Sequence, residues 1–118
     1  YVEDLVEAIY LLMDVIPNKK SYNENSNLDT LSSSANYRTV NIGNSEKIRL
    51  EDFINEIEIA LDRKIEKNYI DMQTGDVKAT WADSRLLKSL TSYVPKTNYK
   101  VGIYEFIKWY KDYYKLEA

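Results

Sequence analysis

Cysteine is absent from the 118 residues, and so is histidine. Without cysteine there is no disulfide framework and no thiolate chemistry, which suits a reducing compartment. Without histidine the commonest general base and the commonest metal ligand are both missing. No dense Lys/Arg block occurs and the formal net charge is -3, which speaks against a nucleic-acid surface. No apolar run approaches the roughly 18 residues of a membrane span, and no signal-peptide pattern is visible. The remaining composition has the balance of an ordinary soluble chain, long enough for one small domain. The chain opens at Tyr1 and enters a helical pattern at once, which reads as a piece of something longer.

The stretch around which the chain is organised is Met72-Gln73-Thr74-Gly75-Asp76-Val77. Glycine between polar residues signals a turn, and loops next to regular elements are where binding groups gather. Local physics reads it as a loop offering a few polar groups to a ligand, or as a plain solvent-exposed turn.

Apolar residues at helical spacing (Val2, Leu5, Val6, Ile9, Leu12, Met13, Ile16) predict a helix over 2–16. Glu3 and Asp4 suit its dipole, Pro17 stops it, and its apolar stripe reads as core. Residues 17–36 are rich in Asn, Ser, Lys and Asp and read as a long mobile loop, an insertion without chemistry. Tyr37 to Ile42 is β-branched and aromatic, predicting a short strand that ends at Gly43-Asn44. Arg38 on it reads as an anion ligand or, more plainly, a solvated edge.

Leu50, Phe53, Ile54, Ile57, Ala60 and Leu61 predict a second amphipathic helix over 50–63. Its acids, Glu51, Asp52, Glu56, Glu58 and Asp62, read as a solvated face. Ile65 to Ile70 is a second predicted strand, delivering the chain to the Gln73–Asp76 turn. Asp83 caps a short helix over 84–90, with Trp81 as a staple-like anchor before it. A last helix over 100–115 carries Ile103, Phe106, Ile107, Tyr110 and Tyr114 on one face, flanked by Trp109 and Tyr113. That face reads as core or interface. Two short strands make a marginal sheet and would sit more comfortably beside a larger body.

The order of these pieces carries a resemblance. Tyr1-Val2-Glu3-Asp4-Leu5-Val6-Glu7-Ala8 is similar to the segment after the Arg-Asp-aromatic strand of extended short-chain dehydrogenase/reductases. Tyr37-Arg38-Thr39-Val40-Asn41-Ile42-Gly43-Asn44-Ser45 resembles the Tyr-Asn-Ile-Gly-Asn signature of their nucleotide-sugar members. Met72 to Val77, then Ala79-Thr80-Trp81-Ala82-Asp83, resembles the Gln-Pro-Gly-Asp-Val and Ala-Asp segments of the UDP-glucuronate 4-epimerases. Phe106 to Tyr114 resembles that family's closing Phe-Val-Trp-Tyr-Arg-Asp-Phe-Tyr helix.

The resemblance implies an α/β fold: a C-terminal fragment of an extended short-chain dehydrogenase/reductase, about four helices with two short strands, lacking the Rossmann half. All of 1–118 would be its substrate-binding subdomain. It implies a cytoplasmic, NAD-dependent isomerase that interconverts UDP-glucuronate and UDP-galacturonate by transient oxidation at C4, for surface polysaccharide synthesis. Carried over residue by residue, Gln73 and Asp76 match the turn that contacts the nucleotide part of the UDP-sugar. Gln73 can donate two N–H bonds without charge. Asp76 suits a ribose hydroxyl or a neighbouring Arg rather than a phosphate.

Departures from the family pattern matter as much. Thr74 replaces the usual Pro and should loosen the turn. Arg49 stands where a small N-cap residue is expected. No G-x-x-G-x-x-G turn is present, and Tyr104…Lys108 has Tyr-x-x-x-Lys spacing in the wrong helix. The expectations are therefore no catalytic residues, no metal and no NAD held by the chain itself, with activity only in a longer parent. Self-association of the fragment and a homodimeric parent are expected, with no nucleic-acid or membrane partner. The alternatives are a non-catalytic interaction module derived from this lobe, or a sibling UDP-sugar epimerase or dehydratase.

Overall fold

The computed structural model describes residues 1–116, which carry four α-helices: α1 (Val2–Leu12), α2 (Leu50–Leu61), α3 (Arg85–Thr91) and α4 (Tyr99–Tyr114). A single 3₁₀ turn, Lys19–Ser21, interrupts the first long connection. The chain divides into two compact units: Tyr1–Glu46 with Trp81–Lys96, and Lys47–Thr80 with Thr97–Ala118.

In the first unit α1 packs on α3. Ala8, Leu31, Leu86 and Leu87 are buried there. Tyr93, just past α3, ties back to α1 by donating its hydroxyl to Asp4 Oδ1 at 2.9 Å. Burial and the Asp4 carboxylate both push the Tyr93 phenol above its ordinary pKa. The expected core stripe of α1 is only partly buried. Val2, Leu5, Val6, Ile9 and Met13 are exposed, and Ala8 is the residue of α1 that is fully covered. The helix also stops at Leu12, short of the expected residue 16. Pro17 forces Ile16 away from helical backbone, and the last turn unwinds ahead of it.

In the second unit α2 packs on α4, burying Ile103 and Ile107 and bringing Phe53 beside Tyr99 with ring centroids 6.4 Å apart. Lys100 of α4 is ion-paired with Glu56 of α2. The other aromatic residues of α4 form a ladder on its surface. Phe106 touches Trp109 and Tyr110, Trp109 stacks on Tyr113, and Tyr110 meets Tyr114 at 4.7 Å. Phe106, Trp109, Tyr113 and Tyr114 are exposed, so this ladder lies outside the core.

The α/β expectation is corrected. Among the described residues there is no strand, neither over Tyr37–Ile42 nor over Ile65–Ile70. A strand exists only through a ladder of backbone bonds to a neighbour. At the first segment Ser32 N–H donates to Tyr37 C=O at 2.8 Å. Tyr37 N–H turns back to Ala35 C=O at 2.9 Å, and side chains add further ties: Arg38 to Asp29, and Thr30 Oγ1 to Thr39 C=O. At the second segment Ile65 N–H goes to a carboxylate of α2. Both segments are β-prone in composition and have no ladder partner among the described residues.

Helix ends follow local chemistry. Asn98 caps α4 by accepting from Lys100 N–H at 2.9 Å. Arg49 leaves α2 without a side-chain cap, as its residue type dictates. α2, α3 and α4 each end on a left-handed residue that is not glycine: Asp62, Ser92 and Lys115.

Candidate functional site

Residues 62–81 are all exposed, and the Gln73–Asp76 stretch closes within them as a four-residue turn. Asp76 N–H donates to Gln73 C=O at 3.1 Å, and Gly75 takes φ +98°. A positive φ at the third position is the signature of a type II turn, which wants glycine there. Space around Gly75 is open, so the glycine serves the backbone rather than packing. The turn sets Gln73 and Asp76 at its two ends, both solvent-accessible. Together they offer two amide donors, an amide acceptor and a carboxylate. That set suits hydroxyls and neutral polar edges better than a bare phosphate.

The approach to the turn is held from α2. Glu58 is 4% exposed, and its carboxylate accepts from Lys64 Nζ at 2.8 Å and from Ile65 N–H at 3.1 Å. Lys67 Nζ lies 3.3 Å from Oε1, the oxygen that also accepts from Ile65 N–H. These donors, Lys64 first, hold the Glu58 carboxyl down at about 2. The reading of Glu58 as one of five solvated acids is thereby corrected: the chain after α2 folds back and covers it. A cleft of about 290 Å³ lies beyond the grip, between Leu50, Glu51 and Ile54 of α2 and residues 65–69.

The first unit has its own cluster, built from three of the motifs that carry the resemblance. Gly43 lies against Ala82, where a Cβ on the glycine would stand 2.6 Å from the alanine Cβ. The buried Ser84 hydroxyl donates to Gly43 C=O and bonds the Ser45 hydroxyl at 3.1 Å. Ser45 is itself left-handed, at φ 60°. A cleft of about 340 Å³ opens beside Gly43, lined also by Tyr1, Asp4, Leu5, Ile42, Asn44 and Pro95. Sequence reasoning missed this convergence. Its signal was a small residue in each of two distant motifs, Gly43 and Ala82.

Arg38 is not an available anion ligand. Its Nε and a terminal nitrogen meet the two carboxylate oxygens of Asp29 at 2.8 and 2.9 Å, and its side chain is 10% exposed. That fork holds the Asp29 carboxyl below its ordinary value. Asp83 caps α3, though one residue outside the N-cap, which is Ser84. It accepts from Arg85 N–H and from the Arg85 guanidinium, which bring its carboxyl to about 2. With the helix starting at Arg85, Trp81 falls too far out to staple it and is 57% exposed. No cluster of three metal-ligating side chains occurs among the described residues, and no helix among them is long and apolar enough to cross a membrane.

No family model matches the chain. Individual proteins do. "Protein CapI" of Staphylococcus aureus is 39% identical over 117 residues, 98% of this chain and 34% of its own length. A "Probable UDP-glucuronate 4-epimerase" of Rhizobium meliloti (strain 1021) is 35% identical over 116 residues, again 98% of this chain and 34% of its own. The chain belongs to the UDP-glucuronate 4-epimerase family. An "Uncharacterized 37.6 kDa protein in cld 5'region" of Escherichia coli O111:H- is a further relative, 39% identical over 116 residues. The chain spans about a third of the length of the curated relatives it matches.

The nicotinamide cofactor that the family resemblance implies does not fit the glycines of this chain. A pyrophosphate cradle needs several glycines in one strand-to-helix turn. Here Gly43 is taken up by Ala82, Gly75 forms the polar turn and Gly102 lies inside α4.

Proposed function

We propose that this chain is the C-terminal, substrate-binding part of an NAD-dependent UDP-glucuronate 4-epimerase, with Gln73 and Asp76 contacting the nucleotide portion of the UDP-sugar. The observation that carries this reading is the Gln73–Asp76 turn. It is closed by its own backbone bond, shaped by the positive φ of Gly75, and presents an amide and a carboxylate to solvent. Gln73 donates its amide N–H to an oxygen of the diphosphate or uracil, and Asp76 accepts from a ribose hydroxyl. The chain grips and orients; hydride chemistry and the residues that hold NAD belong to the rest of the full-length enzyme. That enzyme works in the cytoplasm, interconverts UDP-glucuronate and UDP-galacturonate, and serves surface polysaccharide synthesis.

The test is steady-state kinetics of full-length protein carrying Gln73→Ala or Asp76→Ala. Each loses one or two hydrogen bonds to substrate, so KM for UDP-glucuronate rises roughly three- to tenfold while kcat changes less. An unchanged KM in both variants sinks the assignment of the turn. Equal turnover of UDP-glucose by the unaltered enzyme would instead favour a sibling UDP-sugar epimerase.

A further inference from the structure

We propose that Glu58 is a positioning residue for the nucleotide-binding turn: by gripping Lys64, Ile65 and Lys67 it sets where the chain enters Gln73–Asp76. This rests on the reading of that turn as the UDP-sugar contact.

A carboxylate that is 4% exposed is costly unless it is fully hydrogen-bonded, and helix α2 carries other acids that stay in water. Glu58 collects three donors, and all three come from the chain after the helix. Ending α2 does not require them. The left-handed Asp62 and the bond from Arg63 N–H to Glu58 C=O, 3.1 Å, already close the helix. The carboxylate bonds therefore act on the segment downstream of α2.

That downstream segment has little burial of its own. Residues 62–81 are exposed throughout, and Lys67 stands six positions before Gln73. An unsupported run of this kind samples many paths, and a ligand that needs the turn in one place bears the entropy of fixing it. The Glu58 grip removes that freedom at the upstream end. Ile65 and Tyr69 share with Leu50 and Ile54 of α2 the lining of the cleft of about 290 Å³.

The experiment uses full-length enzyme and four variants: Glu58→Gln, Lys67→Met, Gln73→Ala and the Glu58→Gln/Gln73→Ala double. KM, kcat and the inhibition constant of UDP are measured for each. Glu58→Gln should raise KM and the UDP inhibition constant about fivefold and leave kcat within about twofold, because a displaced turn weakens binding and not the reaction. In the double variant the two effects should fall short of multiplying, since Glu58→Gln acts in part through the contact that Gln73→Ala removes. A fall in kcat with unchanged KM would mean that Glu58 only supports the fold and would overturn the proposal. So would full multiplication of the two effects. If Glu58→Gln yields no soluble protein, Lys67→Met decides: a KM raised about two- to threefold supports the grip, and an unchanged KM rejects it. If Gln73→Ala raises KM and Glu58→Gln does not, this inference fails alone. If Gln73→Ala and Asp76→Ala both leave KM unchanged, the reading of the turn fails and takes this inference with it.

Discussion

Gly43 and Ala82, 39 positions apart in the chain, approach so closely that a Cβ on the glycine would stand 2.6 Å from the alanine Cβ. Real Cβ atoms do not tolerate that separation, and Ala82 has no flexible end to swing aside. Gly43→Ala should therefore force the Gly43–Ser45 segment off Ser84 and destabilise the protein by about 1–3 kcal/mol, the usual cost of overpacking. Denaturant unfolding of the variant measures this; a loss below about 0.5 kcal/mol, an ordinary surface effect, would show that the backbone yields freely.

Acid should unmask Glu58. Its folded-state pKa of about 2 lies below the ordinary 4.5, so its stabilising contribution is complete above pH 4.5 and disappears as pH falls toward about 2. Glu58→Gln never has this contribution. The stability gap between the two proteins should be constant from pH 7 to pH 5 and close between pH 4.5 and about 2. Asp83, also at about 2 against an ordinary 3.8, loses its contribution on acidification in both proteins alike and so leaves the gap between them unchanged. A gap that stays constant down to pH 2.5 would contradict the Lys64 and Lys67 contacts.

Burial separates two large side chains. Leu87 is fully buried, and Leu87→Ala should cost about 2–5 kcal/mol. Trp109 is 52% exposed on the aromatic ladder of α4, and Trp109→Ala should stay within about 1 kcal/mol despite removing far more atoms. Thermal melts of the two variants make the comparison.

Thr74→Pro tests the turn from the opposite direction. Proline pre-sets the backbone of the second position of a type II turn, and glycine is already at the third. The substitution should stabilise the turn by about 0.4–1 kcal/mol through the unfolded chain. KM for the UDP-sugar should fall correspondingly. Gly75→Ala should do the reverse, because φ +98° strains any L-residue with a side chain.

Produced by itself, the 118-residue chain should self-associate. The outward residues of α1 (Leu5, Val6 and Ile9), Met13 just past it and the ladder of α4 are apolar and exposed. Sedimentation velocity should show mass growing with concentration; a sharp monomer over a wide range of concentration would refute this.

The helices were legible because each has an apolar period of its own. α2, α3 and α4 begin and end within two residues of where periodicity and capping place them. α1 falls short of its expectation because Ile16 keeps the helical period directly before Pro17, where helical backbone is disfavoured. The strands were misread because β propensity describes a side chain suited to a sheet and is silent on whether a neighbouring strand exists. The turn was legible from Gly75 between polar residues. Glu58 was not, since five acids on one helix look alike until Lys64 and Lys67 fold back on one of them. The Gly43–Ala82 contact was equally hidden, because nothing local to either residue names the other.

Three of the four helices stop on Asp62, Ser92 and Lys115, each left-handed with a side chain that glycine would not carry. Each of these conformations costs a residue with a Cβ about 1 kcal/mol. For protein engineering this is headroom for thermostabilisation. Glycine at 62, 92 and 115 would relieve backbone strain at three helix ends at once, at positions that line neither cleft and are not part of the Gln73–Asp76 turn.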